Sequence, residues 1–130
     1  MDDVDSADFA KLTPGRIFVA GVTDMRGRNW KERPVVVLSA PTANDPDDIF
    51  AVACGSSRGP DAGNEAFAIP LLGQRPNGHP QTGLFVKTWF YAGWIEAVKV
   101  GAVIRLLKRF PDHDFARLLE VIAISRNPHP

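Results

Sequence analysis

Arg33, Ser56 and Ser57 are the side chains of this sequence best suited to meet an anion. Arg33 ends the charged run Lys31-Glu32-Arg33 and stands directly before Pro34 and the apolar run PVVVLSA. Ser56 and Ser57 follow a second apolar run, IFAVAC, within CGSSRG. A guanidinium is a planar fork of donors that stays charged at any physiological pH and fits phosphate oxygens in pairs. Hydroxyls and loop amides add donors, and the glycines of CGSSRG let a backbone approach closely. If the two apolar runs are neighbouring antiparallel strands, the end of one falls beside the start of the other, and the three groups converge. Taken singly, each has an ordinary role as a surface arginine or a polar loop residue.

Other chemistries find no matching pattern. The sequence has no GxxxxGK[ST], no histidine pair at metal-ligand spacing and no CxxC. His79, His113 and His129 are scattered, and Cys54 has no second cysteine to pair with. No metal and no cofactor is expected.

Charge points to a polyanionic partner only once its distribution is seen. The chain has 15 basic and 15 acidic residues, but four of the acids, Asp2, Asp3, Asp5 and Asp8, lie in the first eight positions. From Phe9 onward the excess is +4. Arg26, Arg28, Lys31 and Arg33 crowd into ten residues around Trp30. Such a basic loop grips a nucleic-acid backbone, and an indole within it can stack a base. Lys87 and Thr88, in the aromatic stretch LFVKTWFYAGWIEAV, are further RNA-binding candidates.

These residues need a scaffold, and 130 residues are enough for one domain with a sizeable core. Residues 1–12 read as a flexible acidic arm, 13–126 as the folded domain and 127–130 as a tail. No run reaches the roughly 18 apolar residues of a membrane span, and no basic-then-apolar leader opens the chain, so a cytoplasmic protein is expected. The spacing predicts strands over 16–22, 34–40, 49–54, 67–72 and 84–98, the last bending near Gly93, and a sixth starting at Gly101. Pro34 should open its strand or lie at an edge, because proline cannot donate into a ladder. Phe115, Leu118, Leu119 and Ile122 recur at helical spacing behind Asp112 or Asp114 as a cap. The expected fold is mainly β (α+β): a small antiparallel barrel-like sheet with a C-terminal helix.

The order of these segments resembles one family. Pro14-Gly15-Arg16-Ile17-Phe18-Val19, a polar loop containing Gly27, Arg33-Pro34 before an apolar strand ending in Ser39, a third strand running into Ser56-Ser57, and Thr82-Gly83-Leu84 beyond His79 are similar to the MazF/PemK toxin–antitoxin ribonucleases. The resemblance spans roughly Thr13 to Ser125. It implies an SH3-like barrel of the CcdB/MazF/PemK type, a homodimer, metal-independent and sequence-specific cleavage of single-stranded RNA by 2′-hydroxyl attack, and neutralisation by an antitoxin protein. It further implies a catalytic role for Arg33, and a hydroxyl role for Ser56, with Ser57 one register away. Two other readings carry the same fold: a non-catalytic SH3-like binding module, and a protein-directed toxin of the gyrase-poisoning kind. Asp24, Glu32 and His79 are the candidates for proton transfer.

Overall fold

Both faces of the central strands are covered, which is why runs such as PVVV contain no polar alternation. The computed structural model describes residues 6–126. Six strands, β1 (Arg16–Val22), β2 (Lys31–Val37), β3 (Ile49–Ser56), β4 (Ala68–Leu71), β5 (Thr88–Lys99) and β6 (Val103–Arg109), form one antiparallel sheet in the order β4-β5-β3-β2-β1-β6. A short helix, α1 (Ser6–Phe9), precedes the sheet, and α2 (Asp112–Arg126) follows it. On one face Phe18, Val35, Val37, Phe50, Val52 and Trp94 make a core closed by Leu12. On the other, Ile17, Val36, Ala53, Ile69 and Phe90 pack against Leu118 and Ile122 of α2.

The α+β sheet with a C-terminal helix is as expected; strand pairing alone does not close it, since β4 and β6 lie unpaired with each other at its two ends. The loop from β4 to β5 instead crosses to β6, where Lys108 and Arg109 donate their backbone N–H groups to the Thr82 and Gln81 carbonyls at 3.0 and 3.2 Å. The arm also differs from expectation. Residues 1–5 and the expected tail, 127–130, lie outside the described residues, but Leu12 is 1% exposed and Phe9 packs on the first core. These two apolar side chains pin the segment that its acidic charge suggested was free.

Local differences have local causes. β2 begins at Lys31, three residues earlier than expected, so Pro34 lies inside it opposite Val19. The β2–β3 ladder starts only at Val35↔Cys54, so β2 has a partner on one side alone at Pro34, and the missing N–H is tolerated. In α2, Asp112 and Asp114 occupy the first turn, where their charge complements the helix dipole. Leu119, expected on the buried face with Phe115, Leu118 and Ile122, is exposed.

The bend near Gly93 is a bulge that resets the phase of β5. Ala53 pairs with Ile95 and Gly55 with Phe90, so the four residues Tyr91–Trp94 face the single Cys54. Phe90 and Ala92 belong to the core under α2, whereas Trp94 and Val98 belong to the opposite one. Without the bulge, strict alternation would put all four even-numbered residues on one face.

Candidate functional site

Asp24 organises the loop between β1 and β2. Its Oδ1 accepts the backbone N–H groups of Arg26 and Arg28, each at 2.9 Å, and its Oδ2 accepts Asn29 Nδ2 at 2.8 Å. The Arg28 amide, then the Asn29 side chain, hold the Asp24 carboxyl below its ordinary range against a smaller opposing effect of burial. Gly27 and Asn29 take positive φ of 78° and 53°, which glycine and asparagine tolerate best. The loop thereby brings the Asn29 carbonyl to Arg33, whose Nη2 donates to it at 3.0 Å.

Arg33 is 7% exposed. Its guanidinium carbon lies 5.1 Å from the centre of the Trp94 ring, the residue that the bulge turns to this face. A desolvated contact of this kind contributes about 2 kcal/mol. Arg33 Nε and Trp94 Nε1 are both buried and have no hydrogen-bond partner among the described residues. Buried unpaired donors are costly and rare.

Ser56 ends β3 two positions beyond Cys54, the partner of Val35, and Arg33 stands two positions before Val35, both past the end of the β2–β3 ladder. Both residues line an open groove of ≈ 850 Å³, together with Arg26, Lys31, Ser57, Arg58 and Tyr91. Ser56 Oγ accepts the Arg58 N–H at 3.1 Å, which leaves its own hydroxyl hydrogen free to donate. Four cations, Arg26, Lys31, Arg33 and Arg58, oppose Asp24 and Asp61 along the groove walls. Such a net positive, donor-rich trough suits a phosphodiester backbone.

Other expected residues stand elsewhere. Arg28 and Trp30 do not line the groove; the Trp30 ring covers Gly21 and is 64% exposed. Lys87 stacks on Trp89 at 4.8 Å, also off the groove. Thr88 is buried against Gly55, and its hydroxyl donates to the Val86 carbonyl at 3.0 Å, so it cannot reach a ligand. Of the candidates for proton transfer only Asp24 lines the groove, and its oxygens already accept three N–H groups. His79 is engaged in the long loop, its Nδ1 accepting the Gln81 N–H at 3.1 Å.

Arg58, Asp61, Phe67, Tyr91 and Trp94 are among the groove residues that sequence reasoning missed. Arg58 follows Ser57 directly and was within sight of the same motif. The positions of Tyr91 and Trp94 depend on a bulge whose length no periodicity reveals. Among the described residues, no group of three His, Cys, Asp or Glu side chains is placed to hold a metal ion. No helix among them is long and apolar enough to cross a membrane. No protein-family model matches the chain, and no curated protein matches it.

Proposed function

We propose that the protein is a metal-independent endoribonuclease of the MazF/PemK toxin type, cleaving single-stranded RNA at the Arg33–Ser56 groove. The observation that carries this reading is the buried Arg33, held by Trp94 and Asn29, which shares an open cationic trough with the free hydroxyl hydrogen of Ser56. The substrate's 2′-oxygen loses its proton and attacks the adjacent phosphorus in line. The bond to the 5′-oxygen breaks, and that oxygen takes up a proton. The products are a 2′,3′-cyclic phosphate and a 5′-hydroxyl end, and DNA resists because it lacks the nucleophile. Charge builds on the non-bridging oxygens, where Arg33 and Ser56 donate, so stabilisation of that charge is the chief effect of the site.

The family's SH3-like barrel, homodimer and antitoxin partner belong to the same proposal. The loop that bonds β6 through Thr82 and Gln81 supports the barrel-like closure. A second reading, a non-catalytic module that binds an extended peptide, draws support from Phe67, Tyr91 and the acids Asp24 and Asp61 in the groove.

The deciding experiment is cleavage of a long mixed-sequence single-stranded RNA in excess EDTA, wild type beside Arg33→Ala, with the ends mapped. Cyclic-phosphate ends that disappear in the variant, with a rate loss of about 10²-fold or more, are expected. Intact RNA with a folded wild type favours the binding module.

A further inference from the structure

The short turn after β3 is held from three sides. Ser56 Oγ accepts the Arg58 N–H at 3.1 Å, and the Tyr91 hydroxyl donates to the Arg58 carbonyl at 2.7 Å across 33 residues of sequence. Gly59 lies so close to the edge of the Trp89 ring that a Cβ there would stand 3.1 Å from Trp89 Nε1. A surface turn that only needed to reverse the chain would not require a tyrosine from a bulged strand to fix one carbonyl. The residue whose backbone this clamp holds is Arg58, which lines the same groove as Arg33.

Tyr91 and Trp94 are the first and last residues of the β5 bulge, and their rings lie 6.2 Å apart at 55°. Trp94 underlies Arg33, and Tyr91 holds Arg58. One irregularity in one strand therefore supports the Arg33 guanidinium and holds the backbone of Arg58, both of which line a common trough. Burial is the main cause raising the Tyr91 hydroxyl above its ordinary value, so it remains a donor through the neutral range.

We propose that Arg58 is a second phosphate-binding residue of this groove, and that Tyr91 is the residue that positions it. The inference rests on the ribonuclease reading and extends it. Arg33 takes the scissile phosphate and Arg58 a neighbouring one, so the groove recognises a run of successive phosphates on a single strand. Asp61, which also lines the groove, keeps this end from being uniformly cationic and disfavours the denser charge of a duplex.

The test measures binding of a mixed-sequence, fully 2′-O-methylated single-stranded RNA, which has no attacking hydroxyl, over a range of salt. The proteins are wild type, Arg33→Ala, Arg58→Ala, Arg58→Lys, Tyr91→Phe and Arg58→Ala/Tyr91→Phe, each checked for folding by circular dichroism. Arg58→Ala is expected to weaken binding roughly fivefold and to reduce the slope of log K against log salt by about 0.7, the value for one phosphate contact on a single strand. Arg58→Lys should keep the slope. Tyr91→Phe should weaken binding in the wild-type background and add nothing to Arg58→Ala. An unchanged slope in Arg58→Ala, or equal Tyr91→Phe effects in both backgrounds, overturns the proposal while Arg33-dependent binding leaves the ribonuclease reading intact. RNA binding that is absent, or indifferent to both arginines, overturns both.

Discussion

The Trp94 indole is the floor on which the Arg33 guanidinium rests, 5.1 Å from ring centre to guanidinium carbon, although the two residues come from strands that do not pair with each other. An arginine so placed has exchanged most of its freedom for a fixed direction before any ligand arrives. Trp94→Phe keeps an aromatic floor and should retain Arg33-dependent RNA cleavage within a few-fold. Trp94→Leu removes it and should lower kcat about tenfold, a loss of roughly 1.4 kcal/mol in transition-state stabilisation. Parallel cleavage assays and thermal melts separate that effect from general destabilisation, since equal kcat losses in both variants would refute the role of the ring.

Arg33→Lys should fail to rescue Arg33→Ala. A lysine keeps the charge but has neither the planar fork nor the flat face that stacks on Trp94. Single-turnover cleavage of the two variants should agree within about threefold while wild type exceeds both by about 10². A lysine variant near wild-type rate would mean that the site needs a point charge alone.

Asp24 makes the β1–β2 loop sensitive to acid. Its folded pKa is depressed below the ordinary 3.8, chiefly by the Arg28 amide and then the Asn29 side chain. The ordering it contributes is therefore complete above that ordinary value and is lost as pH falls through the lower folded one. Amide protection at Arg26 and Arg28 should be flat from neutral pH to about 5 and collapse in stronger acid. Asp24→Ala should show the collapsed state at every pH, measured by exchange-detected NMR; protection that survives in the variant would show that the loop is held by other means.

Cys54 should be chemically silent. It is fully buried in the first core, and burial, aided by Glu96, pushes its thiol up to about 12. Iodoacetamide at mildly alkaline pH should leave the native protein unlabelled and modify it at once after denaturation. Labelling of the native protein, read by mass, would reveal an opening of the β2–β3 region.

Residue types and order made most of the fold legible: the β-branched runs at 16–22 and 49–54, the turn residues between them and the 3.6-residue pattern after Pro111 all became the expected elements. Arg33 and Ser56 were legible for the same reason, because antiparallel neighbours place the end of one strand by the start of the next. Trp30, expected as a stacking platform because it stands in a basic loop, covers Gly21 and lies outside the groove lining, a placement that loop composition does not disclose. Thr88 misled because its strand position did not disclose that its hydroxyl is satisfied locally. Leu12 and Phe9 were overlooked because charge in the same segment masked two apolar contacts that act at long range.

The bulge in β5 also makes the site vulnerable to a change of length that every single substitution would miss. Removing one residue from Tyr91–Trp94 would turn the indole toward α2, withdraw the support of Arg33 and release the Arg58 turn, while the rest of the sheet kept its pairing. A one-codon deletion is thus a single heritable step that would dismantle the groove without removing any of its charged residues, so spacing across these four positions counts for as much as the side chains they carry.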